Sequence, residues 1–138
     1  MYTFIQTPTG GVMVRDEASS SVGSLVMALS WNVARGATNT VTVGTLPANA
    51  RILSIQIGVP VVSNAATTAT ASVGLIGGTV TSLTAAQDVK TAIGNFVQPA
   101  TVAWAASASS QSVTCTYTET GAASTAGTAT AVITYCVL

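Results

Sequence analysis

From Leu25 onward the apolar residues of this chain recur at every second position. Leu25, Met27, Leu29, Trp31 and Val33 form one such set, and Leu53, Ile55, Ile57 and Val59 form the strongest. Successive side chains of a β-strand point to opposite faces, so a period of two places each set on one face of a half-buried strand. Shorter sets follow the same rule: Val41 and Val43; Ala69, Ala71, Val73 and Leu75; Val102, Trp104 and Ala106; Val113, Cys115 and Tyr117; Ala131, Ile133, Tyr135 and Val137. Threonine fills many of the intervening positions, and its β-branch suits the exposed side of a pleat.

Turn residues separate the sets. Arg35-Gly36-Ala37, Ser63-Asn64-Ala65-Ala66, Gly77-Gly78 and the stretch from Gly121 to Gly127 read as connections. Leu46 to Ala50 reads as a turn because Pro47 fixes φ and cannot donate to a ladder. Pro60 ends its strand or places it at a sheet edge. Short strands at this spacing predict an all-β fold, an antiparallel β-sandwich of jelly-roll-like type. At most one short helix is expected, over about 85–93, where Thr84 and Gln87 have capping-box spacing and Gly94 offers a stop; an irregular loop fits the same stretch equally.

Residues 1–24 differ from the rest. Pro8, Gly10, Gly11 and the run Ser19-Ser20-Ser21 interrupt any long element, and only Val12-Met13-Val14 can make a short strand. The organisation expected is an extended N-terminal arm over 1–24 and a sandwich domain over 25–138. An extended arm can lie along a neighbouring subunit and add backbone hydrogen bonds to an exposed edge. Val12, Met13, Val14, Arg15, Asp16 and Glu17 are the candidate capsid or subunit contacts. Asp16 and Glu17 face opposite sides of an extended chain and so do not form a carboxylate pair.

Ionisable groups are scarce: four Lys or Arg, four Asp or Glu and no histidine in 138 residues. An ordinary soluble domain carries about 25% charged residues. Net charge is zero, and no basic run exists to neutralise phosphates, which argues against nucleic-acid binding. No run of about 18 apolar residues suggests a membrane helix, and the N-terminus lacks the basic-then-apolar order of a secretory signal. A barrel of membrane strands is disfavoured by the lack of aromatic girdles. Low charge leaves little repulsion between copies, so association is expected.

The same scarcity limits chemistry. A serine or cysteine nucleophile needs a nearby base, and Lys90 is the only lysine. Gly74 to Gly78 lacks the Lys-Ser/Thr that follows a phosphate loop, so it reads as a turn. Asp16, Glu17, Asp88 and Glu119 are too scattered for a calcium site, and without histidine or a CxxC pair no zinc site forms. No catalytic residues, cofactor or metal are expected. Trp31 and Trp104 occupy alternating apolar positions, which favours core packing over a sugar platform. Cys115 and Cys136 read as buried free thiols: about a Gly121–Gly127 turn, Cys115 would oppose Ile133.

The stretch VTVGTLPANARILSIQI over 41–57, TATASVG over 68–74, AAQDVKTA over 85–92 and GTATAVITY over 127–135 resembles a pattern common in small virion proteins of tailed bacteriophages. The resemblance spans Val41 to Leu138 and leaves residues 1–40 outside it. It implies a non-enzymatic structural protein of the head decoration (cement) or head-fibre type. In that reading the protein sits on the outer surface of the phage head, binds the major capsid protein at subunit junctions, and associates with itself as a homotrimer. The alternative is a tail-tip or fibre domain that binds a host surface glycan.

Overall fold

The computed structural model describes residues 2–6, 12–16, 26–33 and 35–138, the first two segments through their backbone. Strands β1 (Tyr2–Gln6) and β2 (Val12–Asp16) pair antiparallel in a two-stranded sheet of their own. The remaining strands are β3 (Val26–Val33), β4 (Thr38–Leu46), β5 (Ala50–Val61), β6 (Thr68–Leu75), β7 (Gln87–Asp88), β8 (Gly94–Val97), β9 (Gln111–Thr120) and β10 (Thr128–Val137). They form two antiparallel four-stranded sheets, in the orders β3-β10-β5-β8 and β4-β9-β6-β7. Only β6 and β7 are consecutive strands that share a sheet; every other connection from β3 to β10 crosses to the opposite one. The expected antiparallel sandwich is therefore present.

The core lies between the sheets and follows the period-two sets. Ile55, Ile57, Val59, Ala131 and Ile133 from one sheet face Ala69, Ala71, Val73, Val113, Cys115 and Tyr117 from the other. Small and large residues alternate across strands, with Tyr117 opposite Ala71. Burial of each large aliphatic contributes about 1.5–3 kcal/mol.

Several local expectations are corrected. Leu53 does not share the Ile55 face. The β5–β10 register slips between Thr134↔Ser54 and Tyr135↔Ile52. This β-bulge turns Ile52 inward and leaves Leu53 46% exposed. Pro60 does not end β5, which runs on to Val61. It sits in a second register shift against β10, beyond the 56–59 stretch that pairs with β8, so its missing N–H costs no ladder bond.

Of the short helix and the irregular loop that fit 85–93, the helix does not form. Gln87 and Asp88 pair instead with Ala71 and Thr70 of β6. The Thr84 hydroxyl accepts the Val73 N–H at 3.0 Å rather than capping a helix. So short a helix is marginal in water, and pairing to a formed sheet outweighs it. The strand expected around Val102, Trp104 and Ala106 is a 3-10 turn over Val102–Trp104, because three alternating positions cannot distinguish a strand from a tight turn.

Cys115 and Cys136 are buried free thiols, but β9 and β10 are not a hairpin. Cys115 lies opposite Val41 and Val73 in one sheet, while Ile133 lies opposite Leu29 and Ile55 in the other. The Gly121–Gly127 loop carries the chain from sheet to sheet.

Candidate functional site

The candidate contact residues fall on β2. Val12, Met13, Val14, Arg15 and Asp16 lie opposite Gln6, Ile5, Phe4, Thr3 and Tyr2. Glu17 lies outside the described residues, as do 7–11 and the Ser19–Ser21 run. The sequence marked only the centre of β2. Its partner β1 begins Tyr-Thr-Phe-Ile, a β-prone run that carries the signal for pairing.

The strand directions give the sandwich two unlike ends. One end carries the connections 35–37, 62–67, 89–93 and 121–127. They are tied together by Glu119 N to Ala37 O (3.1 Å), Ser63 N to Val89 O (2.9 Å) and Asn64 N to Ala126 O (3.3 Å). Of the five charged side chains (Lys, Arg, Asp or Glu) between 26 and 138, four sit there: Arg35, Asp88, Lys90 and Glu119. Arg51, at the start of β5, belongs to the other end.

At the charged end side chains hold the loops. The Asn64 carboxamide accepts the N–H groups of Thr125 and Ala126 and donates to the Thr125 hydroxyl, all at 2.9 Å. Glu119 accepts from the Ser124 N–H (3.1 Å) and hydroxyl. Burial works to raise the Glu119 pKa. The Ser124 hydrogen bonds, with the Tyr117 hydroxyl and the Arg35 cation nearby, outweigh it and hold the carboxyl below its usual value. The Tyr117 hydroxyl is itself buried without a hydrogen bond of normal geometry, and burial pushes its pKa up. Asp88 accepts from the Thr91 hydroxyl and the Lys90 N–H, and these bonds lower its pKa. Both carboxylates thus serve as loop braces. The Asn64 tie carries no signal in the sequence, because its partners lie in a separate loop; the Glu119 and Asp88 ties are local, to residues two to five positions away.

The opposite end carries the connections 47–49, 76–86 and 98–110, joined by Asn49 N to Ser107 O (2.7 Å), Ile76 N to Ser112 O (2.9 Å) and Leu138 N to Asn49 O (3.0 Å). Ile76, Val80, Val102 and Val137 are exposed there. A cleft of about 410 Å³ runs between Leu75–Ser82 and Ser109–Ser112, and four serines line it. Gly74 to Gly78 forms a turn beside it, with Gly77 at φ 84° and Gly78 N donating to Leu75 O. A Cβ on Gly74 would lie 2.6 Å from Thr79 O, so this glycine serves close packing.

The two tryptophans part company. Trp104 is buried, and its indole N–H donates to Leu83 O at 2.8 Å. Trp31 does not reach the core as expected and is 43% exposed. It faces inward opposite Ala131, but β3 is an edge strand, and the facing sheet also ends there, at β4. Among the described residues, no three His, Cys, Asp or Glu side chains gather where they could hold a metal ion. Among the same residues, no helix is long and apolar enough to cross a membrane.

No known family profile matches the chain, and no curated protein sequence matches it. Its fold is that of chains in solved phage capsids. A chain in the capsid asymmetric unit of cyanophage Pam1 superposes with a TM-score of 0.65 at 22% identity, over 87% of this chain and 90% of that one. A chain in the capsid of Ralstonia phage GP4 gives 0.59 at 21% identity, over 84% and 85%. A chain in the acid-stable capsid of the Helicobacter pylori bacteriophage KHP30 gives 0.59 at 12% identity, over 99% and 94%.

Proposed function

We propose that the chain is a structural component of a phage virion, a decoration protein that binds the outer surface of the head and braces junctions between major capsid subunits. The observation that carries this reading is the likeness of fold, over most of both chains, to chains in three phage capsids. The strand order, with nearly every connection crossing between sheets, is read as a jelly roll. The scarcity of ionisable groups agrees with a role in geometric fit rather than turnover.

In this reading the chain is a homotrimer, and its N-terminal segment, including Val12, Met13, Val14, Arg15, Asp16 and Glu17, contacts capsid or neighbouring subunits. Several weak footprints on one oligomer become tight through effective concentration. A two-stranded sheet is marginal in water, so β1 and β2 gain from a partner surface.

The test is co-sedimentation of purified protein with heads assembled without it, alongside light scattering of the protein alone. Attachment at saturating sites, little changed between low and high salt, is expected because few charges exist to be screened. A monomer that ignores the heads, or one stripped from them by ionic strength alone, defeats the reading. Exposed Trp31 favours a second reading, glycan binding by a tail-tip or fibre domain, since an indole face can stack on sugar. Binding to host cells but not to heads would select it.

A further inference from the structure

We propose that copies of this chain join through the open side of the sandwich, with the β3 edge of one copy beside the β4 edge of the next and Trp31 covered between them. The inference rests on the self-association in the reading above and names the surface that makes it.

The two sides of the sandwich are finished differently. On one side the sheets end in β8 and β7, which are four and two residues long. There the Gln98 carboxamide, itself buried, donates to Gln87 Oε1 at 3.1 Å and ties the two sheets together. Asp88 lies on β7, and Lys90 follows it. Short edge strands and nearby charges discourage further pairing. On the other side the sheets end in β3 and β4, eight and nine residues long, with no charged residue and no proline in either. One bulge, between Thr42 and Gly44, interrupts β4, while β3 pairs with β10 without a register shift. Among the described residues neither edge has a further strand beside it.

The strip between those two edges is apolar and only half covered. Met27 and Trp31 belong to the inward set of β3 with Leu29, yet they are 39% and 43% exposed. Leu29, Val41 and Val43 are partly buried against the core. Ile76, Val80, Ile93 and Val102, also exposed, stand in connections between strands, and Val97 is paired with Gln56 on the outer face of its sheet. Inward-facing side chains left open between two unpaired edges mark a core that continues into a partner.

Geometry identifies that partner. To cover both edges at once it must offer two uncharged strands that run in opposite directions, one sheet spacing apart, about 10 Å. The same side of a second copy offers both. β3 ends and β4 begins at the charged end, so the two run oppositely. Rotating a copy about an axis along the strands therefore brings its β4 beside β3 in the antiparallel sense of the sheets. Rotation by a third of a turn keeps that sense, so the homotrimer of the reading above closes by the same rule. Zero net charge leaves little repulsion against the approach.

The experiment uses the full chain and two double variants. Met27→Lys with Trp31→Lys places charge in the open side; Ile93→Lys with Val97→Lys places it on the other, where both residues are more exposed. Light scattering over a dilution series follows association, and circular dichroism confirms folding. The first pair is expected to associate at least about tenfold more weakly, because a charge closed into the seam has no partner. The second is expected to stay within about twofold of wild type. If the first pair does not fold, Met27→Lys alone replaces it. Wild type supplies a readout that needs no substitution: acrylamide quenching of Trp31 is expected to fall as the diluted monomer assembles. Association of the first pair equal to wild type, equal weakening of both pairs, or Trp31 quenching that ignores assembly overturns the inference while wild-type association stands. A first pair that assembles normally but no longer binds heads overturns it too, by giving this side to the shell. Wild type that stays monomeric at every concentration removes the self-association reading, and the inference with it.

Discussion

Asn64 and Thr125, sixty-one positions apart in sequence, are locked by a reciprocal pair of hydrogen bonds: the Asn64 Oδ1 accepts the Thr125 N–H and the Asn64 Nδ2 donates to the Thr125 hydroxyl. The pair fastens the β5–β6 connection to the β9–β10 connection. Replacement by alanine leaves two backbone N–H groups without their acceptor. Asn64→Ala is expected to lower stability by about 1–2 kcal/mol, read as a reduced urea midpoint. Asn64→Asp, which keeps the acceptor, is expected to lose less. A midpoint unchanged in both variants would contradict this role.

Glycine replacement separates two causes of strain. Gly127 has φ 132°, and a Cβ there would stand 2.8 Å from the Ser63 Cα. Gly77 has φ 84° with open space around it. Gly77→Ala should cost about 1 kcal/mol from its left-handed backbone alone. Gly127→Ala meets main chain as well and should cost at least about 2 kcal/mol. Chemical denaturation of the two variants gives the order directly, and equal losses would argue against the close approach at Ser63.

Acid should loosen the charged end. The Glu119 carboxyl is held below its usual pKa in the folded state, so the unfolded chain binds its proton first as pH falls. The stabilisation is present above the unfolded value, about 4.3, and is lost as pH drops through the folded one. Melting temperature should therefore fall below about pH 4.5, and the fall should be smaller in Glu119→Gln. Asp88 is shifted in the same direction and adds to the slope, so Asp88→Asn isolates its share. A Glu119→Gln profile parallel to wild type would remove Glu119 as a cause.

The tryptophans should differ in mutational cost. Trp104→Ala empties a buried site and leaves Leu83 O without its donor, an expected loss of about 3–5 kcal/mol. Trp31→Ala, at an open seam, should cost about 1 kcal/mol. Fluorescence supplies a second check: acrylamide should quench Trp31 and spare Trp104. Equal quenching would mean that the seam is closed in solution.

The period-two sets of β5, β6, β9 and β10 were legible because both sheets bury one face, and alternation reports burial directly. Leu53 escaped that logic because a bulge inserts one residue and inverts the faces beyond it. Gln87-Asp88 escaped because a two-residue strand has no period, and its capping-box spacing is shared with a helix start. Trp31 obeyed the pattern and still emerged exposed, since alternation gives the direction of a side chain but not whether anything lies across from it. The loop brace of Asn64 depends on which loops the topology brings together. That information arises only once the strands have paired.

Strand β3 pairs within its sheet with β10 alone, about a hundred residues later in the chain. A ribosome must therefore release nearly the whole sandwich before its first strand can find its neighbour. Folding waits on the closing strand, and contacts this distant in sequence fold slowly, on millisecond-to-second timescales. During that wait the apolar face of β3 is uncovered, so crowded synthesis would give unfinished chains time to pair with one another.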